Sequence, residues 1–276
     1  MKISVIIPTY NGSKTIEKTL DSILSQHGIS DLEVFAIDDG STDTTVGLLS
    51  KYKEVIVKTF YDNSGGPNRG RNFGFHLSTG DYIAFCDQDD IWDRYKLSIQ
   101  LEHKQDIILS AITKNDKKDK IYTKGELFRS FLRRDKIDTC LSTFLIKKSI
   151  FKPFEYNFGM LDYDWLLRIS QNSTAYWCSS KLVTKGQGNN LSLKKEYRLK
   201  DFYFSLLTLE NYDEPDAIIG RKKLYATMGK YYYKTGNCKK ARQFFGYDKL
   251  SIKNFAYYYS SFICPNFVNE HFRVFG

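Results

Sequence analysis

Four polar residues, Asp87, Gln88, Asp89 and Asp90, follow a short apolar run in the first third of the chain. The run at 81–86 predicts a buried strand, so the carboxylates come directly after it. A hard divalent cation prefers oxygen ligands, and a diphosphate can supply those that two carboxylates do not. Asp87 and Asp89 are therefore candidate ligands for Mn²⁺ or Mg²⁺ beside a nucleotide diphosphate. The alternative is a solvated acidic turn that caps the next helix.

A second acidic turn, residues 38–43, has the sequence Asp-Asp-Gly-Ser-Thr-Asp and follows another apolar run. Ser41 or Thr42 can cap the helix that comes next, and a tight capping turn is the plain alternative for this segment. Open α/β sheets bind their ligands at the carboxyl ends of the strands. We therefore expect the turn at 87–90 to lie at a ligand-binding edge.

The elements that must position these turns alternate between strand and helix. Residues 3–8 are a β-branched run that ends at a proline, which is typical of a strand buried on both faces. Apolar residues recur at helical spacing over 13–28, residues 32–37 and 55–60 predict two further strands, and a helix follows over 69–79. This alternation predicts an α/β fold with a mostly parallel, doubly wound sheet and helices on both faces.

The rest of the chain is predicted more coarsely. Residues 104–136 are lysine-rich and weakly periodic, which predicts a mobile or partly helical surface segment. Residues 139–146 predict a strand, and 162–170 predict a helix. Beyond this, glycine and proline become rare and aromatic helical stripes dominate. We therefore expect an α/β domain over 1–192, which contains the candidate nucleotide site, and a small helical region over 193–276.

Within the helical region, residues 221–249 have the spacing of a tetratricopeptide-like hairpin. A solenoid needs about three repeats to bury its faces, so we expect a docking piece rather than an independent peptide receptor. Aromatic residues between 255 and 272 could contact the inner face of a membrane, because aromatic and cationic side chains favour the interface. Ordinary core packing is the alternative for this stretch.

The composition narrows the functional classes. Hydrophobic residues make up 42% and charged residues 26% of 276, which argues against wholesale disorder and against a multi-span membrane protein. The net charge of +9 indicates an anionic partner, such as phosphorylated substrates or an acidic membrane face. No nucleic-acid-binding motif accompanies this charge, so nucleic acid is not expected. The chain has no signal-peptide pattern, which predicts a cytoplasmic location, with peripheral contact at the inner face of the cell membrane as an option.

Four segments carry a specific resemblance: VIIPTYN at 5–11, IDDGSTD at 37–43, RNFG at 71–74 and FCDQDDIW at 85–92. Together and in this order they resemble family 2 glycosyltransferases, and they cover roughly the first hundred residues. The resemblance implies a GT-A fold and an inverting transfer from a nucleotide-sugar donor. The acceptor it implies is a saccharide, or a lipid-linked saccharide, in the synthesis of capsule, O-antigen or another cell-envelope glycan.

The resemblance also implies where the nucleotide binds. It puts Pro8, Thr9 and Tyr10 beside the base. Asp38 or Asp39 would accept a hydrogen bond from a uracil or thymine imide, which favours UDP or dTDP sugars.

Further roles are implied around the phosphates. Arg71 matches the family arginine near the base and phosphates, where a planar guanidinium can pair with anions. Asp87 is expected near the ribose or the metal ion, and Asp89 as the direct metal ligand.

An inverting transfer also needs a general base. The segment LDYDWLLR at 161–168 resembles the family's downstream acidic motif, which assigns Asp162 as the base. Leu161 stands where a glutamate is usual, so Asp164 remains a rival, and a helix-capping role is the alternative for Asp162. Gln187 occupies a position that often carries a histidine in the family, which predicts weaker metal binding. A non-catalytic nucleotide-binding assembly protein with a degenerate transferase fold is the second hypothesis.

Overall fold

The centre of the protein is an eight-stranded, mostly parallel sheet accompanied by a two-stranded one. The computed structural model describes residues 1–156, 162–186 and 195–247, without the side chains of 195–198. The strands in these residues are β1 (Ile3–Thr9), β2 (Leu32–Asp38), β3 (Val55–Thr59), β4 (Tyr82–Phe85), β5 (Ile91–Trp92), β6 (Ile107–Ala111), β7 (Lys120–Tyr122), β8 (Leu145–Lys147), β9 (Ala175–Lys181) and β10 (Val183–Thr184).

Helices alternate with these strands and then dominate the C-terminal part of the chain. The α-helices in the described residues are α1 (Ile16–Leu24), α2 (Thr45–Leu49), α3 (Asn68–Leu77), α4 (Lys96–Leu101), α5 (Glu126–Leu132), α6 (Tyr163–Ser170), α7 (Lys195–Glu210), α8 (Pro215–Lys234) and α9 (Cys238–Gly246). Short 3-10 helices also span Leu141–Thr143 and Lys148–Ile150.

The large sheet has the strand order β3-β2-β1-β4-β8-β6-β9-β7. Strands β1, β2, β3 and β4 are parallel to one another, whereas β8 runs antiparallel to both of its neighbours, β4 and β6. Strand β6 therefore has the direction of β4, and β9 is parallel to β6. The carboxyl ends of β1, β2, β4, β6 and β9 consequently lie at one edge. This confirms the predicted mostly parallel α/β sheet.

Strand β1 is buried on both faces, as its unbroken apolar run predicted. Side chains alternate between the two faces of a strand. Ile3, Val5 and Ile7 belong to one core cluster with the buried side of α1. Ile6 faces α3 instead, where a Cβ added to Gly74 would lie 2.5 Å from its Cγ2 atom. The glycine in the RNFG segment thus lets α3 pack closely on β1.

Two predictions in the middle of the chain are wrong in part. Residues 104–136 contain α5, in keeping with a partly helical segment, but they also contain the strands β6 and β7, and β6 is completely buried rather than at the surface. The five residues of β6 are apolar or small and lie just before a lysine-rich stretch. Because the whole segment 104–136 was judged by its lysines, this short apolar run was missed. Of the strand predicted at 139–146, only the last two residues belong to β8, and a 3-10 helix comes before it.

The chain divides into two compact units, one with residues 1–128 and 136–194 and one with 129–135 and 195–276. In the second unit, Arg133 contacts Asp216 at 3.2 Å and Lys223 contacts Asp135 at 2.9 Å. The domain boundary predicted after residue 192 lies outside the described residues, as do the aromatic residues beyond 255. The boundary and the tetratricopeptide assignment of the α8–α9 hairpin stay predictions. Across the described residues, no helix combines the length and apolarity that crossing a membrane requires.

Candidate functional site

The turn after β4 is held in place by Gln88, the residue between the two candidate metal ligands. Its side-chain oxygen accepts a hydrogen bond from the Tyr10 amide at 2.8 Å, and its side-chain amide donates to the Tyr10 carbonyl at 2.9 Å. These two bonds tie the turn to the end of β1, the neighbouring strand. Sequence reasoning missed this role, because a glutamine beside aspartates gives no signal of its own.

Arg71 joins two of the predicted site residues that are far apart in the chain. Its guanidinium donates to Asp87 Oδ1 at 3.1 Å and to Asp162 Oδ1 at 2.7 Å, and it also contacts Asn68 Oδ1 at 3.1 Å. Arg71 is only 3% exposed, so the cation lies beneath the carboxylates. The Asp87 amide donates to Ser142 Oγ at 3.0 Å, which secures the turn from the other side.

Aromatic packing places Asp162 near Arg71. Asn72 of α3 exchanges two hydrogen bonds of 2.8 Å with the backbone of Phe154. The Phe154 ring stacks on Trp165 with ring centroids 4.4 Å apart, and the Trp165 indole donates to the Lys152 carbonyl at 2.8 Å. Because Trp165 lies in the first turn of α6, these contacts set where that helix begins, and Asp162 immediately precedes it.

The two candidate bases have different partners. Asp164 accepts a 2.7 Å hydrogen bond from Arg168, one helical turn further along α6. Asp162 stands at the N-cap position of α6, yet its side chain makes no capping hydrogen bond and contacts Arg71 instead. Asp162 therefore shares a cation with Asp87, whereas Asp164 pairs with an arginine of its own helix. Leu161, the departure from the family motif, lies outside the described residues.

Contacts between Asp90 and Gly186 hold the segment that follows β10 against the turn after β4. The Gly186 amide donates to Asp90 Oδ1 at 2.8 Å, and a Cβ on Gly186 would lie 2.1 Å from the Asp89 carbonyl oxygen. Asp90 is almost completely buried. Burial raises the pKa of Asp90 to about 6, and the neighbouring carboxylates of Asp87 and Asp89 add to the increase. The sequence offered Gln187 in this segment, which lies outside the described residues, and gave no signal for Gly186.

The turn after β2 uses its carboxylates differently. Asp38 is completely buried and accepts hydrogen bonds from the Ser41 amide at 2.9 Å, from the Ser41 hydroxyl and from Thr9. Asp39 accepts from the amide and hydroxyl of Ser64 at 2.9 and 2.8 Å and forms an ion pair with Arg69 at 2.7 Å. The predicted contact of Asp38 or Asp39 with a nucleobase stays a prediction.

The loop after β1 lies beside the turn after β2 at the carboxyl ends of the strands. Of the three residues predicted beside the base, Pro8 and Thr9 are buried and Tyr10 is 42% exposed. Asn11 has a positive φ of 48° and accepts a 2.8 Å hydrogen bond from the Thr42 amide, which ties this loop to the turn after β2. Of these three residues, Tyr10 is therefore the one exposed to a ligand.

Oxygen atoms are available for a divalent ion, but the protein supplies few of them. No group of three or more His, Cys, Asp or Glu side chains within 1–156, 162–186 and 195–247 could hold a metal ion. Asp87 has 40% of its side chain exposed, and Asp89 is half-buried. Mg²⁺ and similar ions commonly bind through one or two carboxylates together with substrate phosphates and water. Asp87 and Asp89 fit an open site of that kind, which a diphosphate would complete.

Comparisons with known proteins agree with this architecture. A family model described as Glycosyl transferase family 2 matches residues 4–158. The poly(ribitol-phosphate) beta-glucosyltransferase of Bacillus spizizenii is 41% identical over 95 residues, which are 33% of this chain and 15% of that protein. The poly(ribitol-phosphate) beta-N-acetylglucosaminyltransferase TarS of Staphylococcus aureus is 36% identical over 117 residues, which are 40% of this chain and 20% of that protein. The matches thus span a fifth or less of either relative.

Solved structures share the fold at low sequence identity. The crystal structure of S. aureus TarS 1-349 in complex with UDP has a TM-score of 0.63 and 18% identity, and the match covers 98% of this chain and 91% of that chain. The mannosyltransferase PcManGT from Pyrobaculum calidifontis, in complex with GDP-Man and Mn²⁺, has a TM-score of 0.60 and 15% identity, with 98% and 87% covered. These likenesses confirm the predicted GT-A fold.

The family model covers more than half of the chain, and its matched segment contains both acidic turns and Arg71. The predicted family is therefore confirmed: the chain belongs to glycosyl transferase family 2, a family of transferase enzymes.

Proposed function

We propose that this chain transfers a sugar from a nucleotide diphosphate sugar, with UDP and dTDP sugars favoured, to a hydroxyl of a bacterial cell-envelope polymer. The observation that carries the proposal is the buried Arg71, which holds Asp87 and Asp162 within one cluster at the carboxyl edge of the sheet. A sugar transferase needs a donor-binding acid and a base on either side of the reacting carbon. The names of the Bacillus and Staphylococcus relatives support an acceptor built from ribitol phosphate.

The donor would bind at the turn after β4. Asp89 and Asp87 would hold Mn²⁺ or Mg²⁺, and the bound ion would neutralise the charge that develops on the leaving diphosphate. The exposed ring of Tyr10 offers a surface on which the nucleobase can stack. The TarS structures in complex with UDP and with UDP-GlcNAc support a uridine nucleotide as the first donor to test.

The reaction would proceed by a single inverting displacement. The Asp162 carboxylate takes the proton of the acceptor hydroxyl while the hydroxyl oxygen bonds to the anomeric carbon of the donor sugar. The bond between that carbon and the diphosphate oxygen breaks, and the electron pair leaves with the diphosphate. Arg71 is a positioning residue in this scheme, because it fixes the carboxylates of Asp87 and Asp162 relative to each other.

Replacement of the two candidate bases tests the scheme. We expect Asp162→Asn to lower the transfer rate by roughly 10²- to 10⁴-fold, the usual contribution of a general base. Asp164→Asn is the matched control, because it removes a carboxylate from the same helix and should lower the rate less than about tenfold. Calorimetry with UDP and Mn²⁺ should give the same affinity for wild type and Asp162→Asn. The assignment is wrong if Asp162→Asn keeps full transfer while Asp164→Asn loses it.

A donor screen tests the function itself. Thermal unfolding with Mn²⁺ should show a higher Tm with a uridine or thymidine diphosphate sugar than with a guanosine diphosphate sugar, because a ligand that binds only the folded state stabilises it. The preferred donor should also be slowly hydrolysed in the absence of an acceptor. The proposal fails if no nucleotide sugar is consumed. A Tm that rises with a nucleotide sugar that is never consumed would favour the non-catalytic nucleotide-binding assembly protein.

A further inference from the structure

An open polar cavity of about 470 Å³ lies at the carboxyl ends of β6 and β9, away from the two acidic turns. Two lysines, two serines, an amide and one carboxylate line it: Lys114, Asn115, Asp116, Ser179, Ser180 and Lys181. No step of the proposed donor chemistry uses these residues. Because their cationic and hydroxyl-binding groups lie together in one cavity, we ask which ligand they could bind.

An irregularity in the sheet builds one wall of the cavity. Ser110 of β6 pairs with Cys178 of β9, but the next residue, Ala111, pairs with Lys181. Ser179 and Ser180 therefore bulge out of the ladder, a device that re-aims side chains and is common near active sites.

Hydrogen bonds tie the loop after β6 to this bulge. The Asn115 side-chain amide donates to the Ser179 carbonyl at 3.2 Å. The amide and hydroxyl of Ser179 donate to Asp119 at 2.8 and 2.6 Å. Both walls of the cavity are thus fixed by the protein before any ligand arrives.

The cavity shares an edge of the sheet with the candidate active site. Strands β4, β8, β6 and β9 are consecutive neighbours. At about 4.8 Å per strand, β6 lies roughly 10 Å and β9 roughly 14 Å from β4. One segment links the two places: Asp138 accepts a 3.1 Å hydrogen bond from Thr113 beside the cavity, and Ser142 accepts one from Asp87. An acceptor with its reacting hydroxyl near Asp162 could therefore extend into the cavity only if it is a chain of several units.

The lining indicates what kind of chain would bind. Lys114 and Lys181 supply ammonium groups, which bind phosphate as point charges. Asp116 and Asn115 can accept hydrogen bonds from hydroxyls, and the Ser180 hydroxyl can donate or accept. The Ser179 hydroxyl donates to Asp119 and can still accept. A neutral glycan gains little from two lysines, and a bare anion gains nothing from the carboxylate. A phosphate-bearing polyol uses both sets of groups.

We propose that this cavity binds a phosphate-bearing polyol unit of the acceptor chain, remote from the hydroxyl that reacts, and so selects an anionic polyol-phosphate polymer. The inference rests on the proposed function, because that function places the reacting hydroxyl of the acceptor near Asp162 and so sets the direction in which the acceptor chain runs. It adds a second binding site that makes affinity depend on the charge and the length of the acceptor.

Direct binding of a polymer tests the cavity without any turnover. The probe is a ribitol-phosphate oligomer, titrated calorimetrically into wild type and into the double variant Lys114→Met/Lys181→Met. We expect the double variant to bind at least about tenfold more weakly, since each charged contact contributes on the order of a tenfold factor. Lys53→Met is the matched control, because Lys53 is an exposed lysine at the other end of the strands, just before β3. It should leave the affinity unchanged.

Two outcomes overturn the inference: equal oligomer affinity in wild type and double variant, or equal wild-type affinity for the oligomer and for a neutral polyol of the same length. Donor hydrolysis separates this result from the proposed function, because the double variant should hydrolyse the nucleotide sugar at the wild-type rate. A protein that hydrolyses no donor but loses oligomer binding in the double variant contradicts the proposed function and supports the cavity. A protein with normal hydrolysis and unchanged oligomer binding contradicts the cavity alone.

Discussion

Two acidic turns stand at the same edge of the sheet, and they use their carboxylates in opposite ways. In the turn after β2, Asp38 and Asp39 are buried and accept hydrogen bonds from hydroxyls, amides and an arginine of the protein. In the turn after β4, Asp87 is 40% exposed and Asp89 is half-buried. The first turn therefore holds loops together, whereas the second can present oxygen atoms to a ligand.

The difference shows that a pair of acids after a strand does not by itself define a ligand site. A buried carboxylate must find donors or a cation, because an unpaired buried charge is costly. Asp39 meets this need with Ser64 and Arg69. Asp87 shares Arg71 with Asp162 and keeps part of its surface in contact with solvent. The number of protein donors thus gives a reason to expect a structural role for the first turn and ligand binding at the second.

Among substitutions in the two turns, the largest effect should come from Asp89→Asn in the second turn. Loss of a metal-ligating carboxylate should lower transfer about 10³-fold, comparable to removal of one strong electrostatic contact to the transition state. The free energy of unfolding should change by less than about 1 kcal/mol, because Asp89 is half-buried at the surface of the site. The measurements are kcat at saturating Mn²⁺ and urea unfolding. A loss of tenfold or less would remove Asp89 from the proposed metal site.

Much of this edge could be predicted from the sequence. The apolar runs of β1, β2 and β4 are buried on both faces, so their length and their flanking turns identified them as strands of a parallel sheet. Turn residues at the strand ends then placed the acids at one edge. The prediction succeeded because strand, turn and acid are adjacent in the chain, so local sequence carries the whole signal.

What local sequence could not predict depends on distant contacts. The Arg71–Asp162 pair joins residues 91 positions apart and depends on the stacking of Phe154 on Trp165. Gly186 looks like an ordinary loop glycine until β10 is placed over Asp89. Strand β6 was hidden because its apolar residues precede a lysine-rich loop. In the first two cases the decisive partner comes from another part of the fold.

A second prediction concerns Arg71, which connects the exposed turn to the base. Arg71→Lys keeps the charge but cannot bridge Asp87 and Asp162 with a planar fork. We expect kcat to fall about 10²-fold, the cost of a misplaced catalytic group, while the Kd for the donor changes less than about threefold. The matched control is Arg168→Lys, since Arg168 pairs with Asp164 on α6. If the donor Kd rises by the same factor as kcat falls, Arg71 contacts the nucleotide directly, as the family resemblance implied.

The third prediction tests the structural role of the first turn. Asp39→Asn leaves the Arg69 guanidinium with Asp62 as its remaining acidic partner, and Asp62 is largely exposed. We expect the free energy of unfolding to fall by about 2 kcal/mol, the usual scale for a buried hydrogen bond to a charged group. Asp62→Asn is the control and should cost less than about 1 kcal/mol, because its pair is exposed to solvent. If Asp39→Asn keeps the stability of wild type but loses much of its affinity for the donor, then the first turn binds ligand as the second is proposed to do, and the contrast between them is wrong.

The fourth prediction uses pH and concerns Asp90, the buried member of the second turn. Burial raises the pKa of Asp90 to about 6 from an ordinary value of 3.8. The folded state therefore binds this proton more tightly than the unfolded state, and ionisation of Asp90 destabilises the fold as pH rises from about 4 to 6. Asp90→Asn cannot ionise, and its side-chain oxygen can still accept a hydrogen bond from Gly186. Above pH 7 its free energy of unfolding should therefore exceed that of wild type by about 1 kcal/mol, once the cost of a buried amide donor is subtracted.

Asp43 in the first turn should show the opposite dependence on pH. Burial would raise its pKa, but hydrogen bonds from Thr45 and Ser13 outweigh that effect and lower the pKa of Asp43 to about 2. The stabilisation by this carboxylate is complete above pH 4 and is lost as pH falls toward 2. Asp43→Asn should therefore be less stable than wild type at pH 7 and equal to it near pH 2. The measurement is the free energy of unfolding in urea between pH 2 and 8. If it depends on pH in the same way for Asp43→Asn and Asp90→Asn, the contrast between the two turns is contradicted.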